Sequence, residues 1–312
     1  MRKTTLIIFL FLVIATSKGQ NYILHWQYCK QDDEISFDKT ENKIMFFGDK
    51  LNGKIKIITQ NIYNERHTDS TDMIYEFNQN GLIIKRNILN QSVTYDYDTK
   101  NRLLKKKFAF LDCGSEYGNM QYFYNNEGNL SKTMNVSINN DNSKNSDTTH
   151  YFYNKSNKLI EEKGNLQSIK WIYDQNDNCI NCELYERNQL TKKIENKFNN
   201  NRIIETFIWQ LFEDEEHYYK YKYIYNDDKS LKSIIKNSSY TSDFQNSKSS
   251  TIFFEHTYDN KKRLTKLKET DEENHSITTF SNYDKNDNWT KKHIYGNGED
   301  YIIERRFIYF ED

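Results

Sequence analysis

Tyr95-Asp96-Tyr97-Asp98-Thr99-Lys100-Asn101-Arg102-Leu103 decides the fold, because the chain repeats its pattern. An aromatic residue (Tyr97) precedes a short polar one (Asp98). Three positions later stands a residue that tolerates φ > 0 (Asn101), and two further on an apolar one (Leu103). Phe77, Asn78, Gly81 and Ile83 match this set, as do Tyr124, Asn125, Gly128 and Leu130. So do Tyr153, Asn154, Asn157 and Leu159, and then Tyr173, Asp174, Asp177 and Cys179. A copy one residue shorter runs Phe198, Asn199, Asn201 and Ile203. The last three centre on Tyr225-Asn226, Tyr258-Asp259 and Tyr283-Asp284 and close with Leu231, Leu264 and Trp289. Aligned aromatics lie 20 to 33 residues apart, room for two strands and two turns. Self-similarity of this kind marks a repeat architecture.

Each position has a physical reading. Aromatics at i and i+2, such as Tyr95 and Tyr97, point to one face of a strand. The Asn or Asp that follows accepts backbone bonds two residues on and opens a type I turn. Gly, Asn or Asp then supplies the left-handed residue of a three-residue hairpin connection. Lys229 and Lys262 occupy that position in two copies, where strained or differently shaped turns are expected. The apolar residue starts the return strand and packs across the hairpin on the aromatic. Return strands then turn basic, as at Lys105-Lys106-Lys107 and Lys291-Lys292, which suits a solvent face or an edge.

Composition agrees with a β protein. Twenty-four Tyr and 19 Phe supply large buried area in a chain that holds no Pro. Aromatic and β-branched residues favour strands. The chain should be all-β: serial antiparallel hairpins forming one long, twisted and curled sheet, an open or incomplete β-shell.

Arg2 and Lys3, an apolar run from Leu6 to Ala15, and the small residues Ser17 and Gly19 read as a signal peptide cut before Gln20. Residues 1–19 are thus a leader, 20–45 an N-terminal extension with a strand around Tyr22–Tyr28, and 46–312 the repeat domain. The mature chain keeps 41 basic against 45 acidic residues, a net charge of −4. That is no footprint for nucleic acid. No later segment is apolar enough to anchor the chain, so no membrane span is expected after cleavage.

The motif resembles the YD repeat of the Rhs and teneurin-type proteins. Residues 95–103 match it best and Tyr258-Asp259-Asn260-Lys261-Lys262-Arg263-Leu264 next. The resemblance covers roughly residues 70–295. It implies strips of antiparallel hairpins that coil into a shell, which in large members encloses cargo. This chain is too short for a large shell, lacks an obvious C-terminal toxin, and has lost the Gly or the Arg in several copies. It is more similar to the short, signal-bearing YD-repeat proteins common in Bacteroidetes, whose openings look like Leu51–Lys56.

Residues that could carry chemistry are few. Cys29, Cys113, Cys179 and Cys182 allow disulfides in an oxidising compartment, and no pairing follows from sequence. Cys179-Ile180-Asn181-Cys182 has redox or half-zinc spacing, yet Cys179 also fills the repeat's apolar position. The seven His form no ligand pair, and Glu213–Glu216 lacks calcium-loop spacing. No nucleophile elbow or phosphate loop is present, so no catalytic, cofactor or metal residue is assigned. The residues singled out are structural: Phe77, Gly81, Tyr97, Asp98, Tyr124, Gly128, Tyr153, Tyr173, Tyr225, Tyr258, Tyr283 and Trp289. The expected role is a non-enzymatic secreted, periplasmic or envelope binding or scaffold protein with a protein or glycan partner. The alternatives are a glycan-binding module with aromatic platforms, or a carrier of an apolar ligand inside a curled sheet.

Overall fold

A computed structural model describes residues 35–38, 43–46, 49–64, 67–110, 116–138, 143–212, 215–244, 250–271, 275–296 and 299–311. The leader, the cut before Gln20, the strand around Tyr22–Tyr28, Cys29 and Cys113 lie outside the described residues. The described residues form strands and turns, without helix.

Three short strands, β1 (Ile35–Asp38), β2 (Lys43–Phe46) and β3 (Asp49–Leu51), make a small sheet. Then come β4 (Ile55–Asn64), β5 (His67–Phe77), β6 (Ile83–Ile88), β7 (Gln91–Tyr97), β8 (Leu103–Phe110), β9 (Glu116–Tyr124) and β10 (Leu130–Ile138). They continue as β11 (Lys144–Tyr153), β12 (Leu159–Lys163), β13 (Gln167–Tyr173), β14 (Cys179–Glu186), β15 (Gln189–Asn199), β16 (Arg202–Phe212) and β17 (Glu215–Tyr225). The last are β18 (Leu231–Ser239), β19 (Ser250–Tyr258), β20 (Leu264–Thr270), β21 (His275–Tyr283), β22 (Trp289–Gly296) and β23 (Glu299–Tyr309). Each of these strands pairs antiparallel with the next, and β23 pairs with β4, closing a barrel.

Closure corrects the expectation of an open or incomplete sheet. The β23–β4 ladder runs from Tyr301 opposite Asn64 to Tyr309 opposite Ile55, so both would-be edges are consumed. An open sheet would leave two rows of unpaired N–H and C=O groups, and joining them removes that liability. β23 (Glu299–Tyr309) is the strand that closes the ring.

The turns follow the sequence closely. In residues 78–82, Gly81 N–H donates to Asn78 O at 2.9 Å and Asn78 N–H to Leu82 O at 2.9 Å. The Asn78 side chain accepts from Asn80 and Leu82 N–H, both at 3.0 Å. Gly81, Asn101, Gly128, Asn157, Asp177, Asn201, Lys229, Lys262 and Asp287 all have φ > 0. Lys229 and Lys262 therefore keep the common turn rather than a different shape, and carry the strain of a left-handed side chain, at φ 75° and 62°. The short sixth copy puts both Asn200 and Asn201 at φ > 0, the requirement of a two-residue type I′ turn. A Cβ at Gly128 would meet only the Arg102 guanidinium tip at 3.9 Å, so conformation alone decides substitutions there. Gly128→Asn should be nearly neutral, while Gly128→Val should cost about 1–2 kcal/mol in a urea melt.

Buried apolar side chains gather on one face of each strand. One cluster spans β13–β19, with Trp171, Ile194, Ile208, Tyr223, Ile234 and Phe254. A second, with Leu51, Ile55, Ile58, Tyr75, Phe77 and Ile83, lines β3–β6. The two are separate, so the interior is not one continuous core. A ring of 20 strands is also wider than side chains can fill from its walls.

Candidate functional site

The inward wall is set by a register shift beside the turns. Phe77 pairs with Ile83 and Tyr97 with Leu103, yet Glu76 pairs with Lys85 and Asp96 with Lys105. One extra residue, Ile84 or Leu104, is left over as a bulge. Eight of the nine copies share this shift; in the last, Asn282 and Thr290 both drop out of the pairing. The bulge reverses the alternation that follows. Lys105 and Lys107 therefore face outward, while Lys106 faces inward, 5.8 Å from the ring centres of both Tyr95 and Tyr122. Lys292 likewise lies inward, 5.4 Å from the Phe280 ring centre. These inward cations were missed in the sequence, where every basic residue of the return strands reads as solvent-facing.

Beyond the bulge, neighbouring hairpins stop pairing, and the repeat tyrosines close the gap. The β6–β7 ladder ends at Lys85 opposite Thr94, so Ile83 O lacks a backbone donor on that side. Tyr97 Oη donates to it at 2.7 Å. Tyr124, Tyr173, Tyr225, Tyr258 and Tyr283 make the same bond to Leu103, Leu159, Ile203, Leu231 and Leu264 carbonyls, at 2.7–2.9 Å. Phe198 has no hydroxyl to offer, and there Asn196 Nδ2 donates to Cys179 O at 3.0 Å instead. Phe77 belongs to the first copy, with no earlier copy to reach. Tyr153 stands at the matching position, opposite Leu159. Tyr97→Phe should cost about 1 kcal/mol, the net worth of one hydrogen bond. Tyr97→Ala should cost about 3 kcal/mol, as for other truncated aromatics, and denaturant melts would compare them.

The Asp–Arg pair of the best-matching copies links each turn to the next. Asp98 Oδ2 accepts from Arg102 Nε at 2.7 Å, and the guanidinium lies 4.5 Å from the Tyr124 ring centre. Asp259 and Arg263 repeat this at 2.7 Å, with Arg263 4.0 Å from the Tyr283 ring centre. The Arg102 backbone N–H, chiefly, holds the Asp98 carboxyl below the usual carboxylate range. Burial pushes Asp259 up, but hydrogen bonds from Arg263 and Lys261 outweigh it and leave the carboxyl lowered. Lowered carboxylates stabilise the fold above their unfolded value near 3.8, and that help is lost as pH falls through the folded value.

The outward face is charged. Lys107 pairs with Asp96 at 2.9 Å, Lys193 with Glu195 at 2.7 Å, Lys220 with Glu205 at 3.1 Å and Lys291 with Glu304 at 3.3 Å. Exposed apolar residues such as Phe123, Phe152, Ile172 and Ile224 sit between the inward aromatics of their own copies. These four form a row near the repeat turns, while Leu89, Phe110, Leu166, Phe212 and Tyr240 are exposed toward the other ends of the strands.

Trp289 and Phe77 are buried inward, as their repeat positions require. Cys179 and Cys182 are both buried as thiols on β14, opposite Tyr173 and Trp171. Cys179 and Cys182 are not joined to each other, and the other two cysteines, Cys29 and Cys113, lie outside the described residues. His256 lies inward, stacked on Tyr258 at 6.4 Å, and burial pushes its pKa down to about 4, so it is neutral at pH 7. At the rim opposite the repeat turns, a cavity of about 600 Å³ is lined by Asp147, Glu162, Glu186 and Arg187 with Gln167 and Thr149. Two of those carboxylates already accept from amides, Asp147 from Asn165 and Glu186 from Gln167. Among the described residues no group of His, Cys, Asp and Glu is arranged to hold a metal.

No family model matches the chain, and no curated protein matches it. Among solved structures it is similar to TcdB2-TccC3 without its hypervariable C-terminal region, with TM-score 0.37 and 11% identity. That match covers 75% of this chain and 15% of the other, so the chain spans a small part of that protein. A porin-like protein from Bacteroides uniformis ATCC 8492 matches with TM-score 0.35 and 11% identity, over 83% of this chain and 98% of that one. One from Bacteroides vulgatus ATCC 8482 matches with TM-score 0.33 and 8% identity, over 83% and 100%. At TM-scores this low, none of the three likenesses defines a function.

Proposed function

We propose that this chain is an exported, water-soluble β-shell of the YD-repeat kind. In this reading it is a non-enzymatic envelope protein that binds its ligand on the inward wall. The observation that carries the proposal is the division between the two faces. Tyr75, Tyr151, Trp171, Tyr221, Tyr223 and Phe254 are buried inward, while the middle of the outer face is laced with Lys–Glu and Lys–Asp pairs. A barrel that crosses a bilayer presents the reverse, an outward apolar band about 25 Å tall. Charges at mid-height on that surface would each cost about 2–4 kcal/mol in lipid.

The same division favours a carrier over the other binding modes. A scaffold that recruits partners by strand addition needs an open sheet edge, and the barrel strands keep none. Glycan platforms need rows of aromatic faces open to solvent, whereas the repeat aromatics point inward and pack along the wall.

The test is behaviour toward lipid. The purified mature chain should stay soluble and folded without detergent, and should leave dye-loaded vesicles sealed. A requirement for detergent, or dye release at stoichiometric protein, would sink the shell reading in favour of a membrane pore.

A further inference from the structure

The inward wall holds one cation in an unusual setting. Lys236 on β18 stands opposite Tyr221 of β17 and Ile252 of β19. Its ammonium lies 5.2 Å from the ring centre of Tyr219 and 5.9 Å from that of Tyr221. Ile234 and Phe254 are buried on the same stretch of wall, and Ile252 packs against them. The carboxylate that acts on Lys236 is Glu269, through space and from β20, two strands away. Glu269 itself faces Phe254 and Ser276, and accepts from Ser276 Oγ at 3.4 Å. The ion pairs of the described residues, by contrast, hold the outer-face lysines directly against their carboxylates. Lys236 is thus a partly buried ammonium with two aromatic faces beside it and no carboxylate in contact among the described residues.

That setting has a chemical consequence. Burial disfavours the charged form and pushes the Lys236 pKa down. Two tyrosine faces return part of the lost solvation. A carboxylate brought within reach would return more, because charge-assisted bonds gain strength away from water. Tyr219 adds a phenol that burial keeps protonated, and therefore a donor. Ile234, Ile252 and Phe254 beside Lys236 are apolar, with Glu269 beyond Phe254 and Ser238 beyond Tyr219.

We propose that Lys236, with Tyr219 beside it, is an anion-recognising subsite for an amphipathic carboxylate. The apolar body of the ligand lies along Ile252 and Phe254. This rests on the carrier reading of the inward wall and names the chemical class it would carry.

Cis-parinaric acid and its methyl ester separate the head group from the body, and both report binding by fluorescence. Wild-type protein should bind the acid about tenfold or more tightly than the ester at pH 7, the size of one charge-assisted hydrogen bond. Lys236→Met should abolish that preference while leaving ester binding unchanged, and Lys236→Arg should retain it. Circular dichroism would establish that both variants are folded. Equal binding of acid and ester by wild type, or an acid preference that survives in Lys236→Met, overturns the subsite and leaves the carrier reading standing. Binding of neither probe overturns the subsite and the carrier reading together, while the vesicle result judges the water-soluble shell independently.

Discussion

Arg305→Met should lower stability by about 3 kcal/mol, combining an orphaned buried polar group with lost packing. Arg305 is only 5% exposed, on the strand that closes the barrel. Its Nε donates to Gln60 Oε1 at 2.8 Å, across the seam between β23 and β4. Its guanidinium carbon lies 3.7 Å from the ring centre of Trp289 on β22. One side chain thus ties the last two strands to the first. Methionine fills much of the space, but leaves Gln60, 4% exposed, without that donor. The next residue, Arg306, is exposed on the outer face, and Arg306→Met should change stability by less than about 0.5 kcal/mol. Urea melts of the two variants make the comparison. Equal effects would mean that the seam does not bear on the stability of the barrel.

Gly53→Ala should cost about 2–4 kcal/mol, from left-handed strain together with overpacking. Gly53 has φ +87°, and a Cβ there would lie 2.9 Å from Tyr309 Cε1 and 3.0 Å from Asn286 Nδ2. The Tyr309 ring cannot easily retreat. Its hydroxyl bonds Asp284, and Asn288 Nδ2 donates to it at 2.9 Å. Asn288 is buried and also grips the turn itself, accepting from Asn52 N–H at 2.7 Å and donating to Asn52 O at 2.8 Å. At the seam Tyr309 bonds the side chains of Asp284 and Asn288, where the repeat tyrosines bond a backbone carbonyl. Gly128 is the matched control. Its φ of +86° is nearly the same but its surroundings are open, so Gly128→Ala should cost only about 1–2 kcal/mol. A like loss for both variants would show that the Tyr309 contact adds nothing.

The local grammar of the chain was legible from its residues, and the global closure was not. Asn78, Asp98 and their equivalents open the turns because a short acceptor two bonds from the backbone has few other uses there. Eight of the nine left-handed positions follow from counting three residues on; in the shorter sixth copy Asn201 is two residues after Asn199. Lys229 and Lys262 show the limit of residue-type reasoning. The turn is imposed by its neighbours' pairing, and a lysine is carried into φ > 0 with it. Which basic residues face inward was hidden, because the bulge at Leu104 and its equivalents shifts the two-residue alternation by one. A reader who counts from Leu103 without the bulge places Lys105 and Lys107 inside and Lys106 outside, the reverse of what is found. Lys236 was hidden for the same reason, and so was the candidate subsite. Closure depends on pairing Ile55–Asn64 with residues some 245 positions away, and no local motif records a partner at that distance.

The most direct test of the closed, inward-facing barrel is a distance across its seam. Spin labels at Ile74 on β5 and Ser281 on β21 would sit on the exposed face, in a background with the four native cysteines replaced by alanine. In the closed barrel those strands are separated by β4, β23 and β22. Four strand spacings of about 4.8 Å put the labels about 20 Å apart. Double electron–electron resonance should therefore give one narrow distribution near that value. An open sheet would place β4 and β23 at opposite ends of the whole array, and a broad distribution centred beyond about 40 Å would contradict closure.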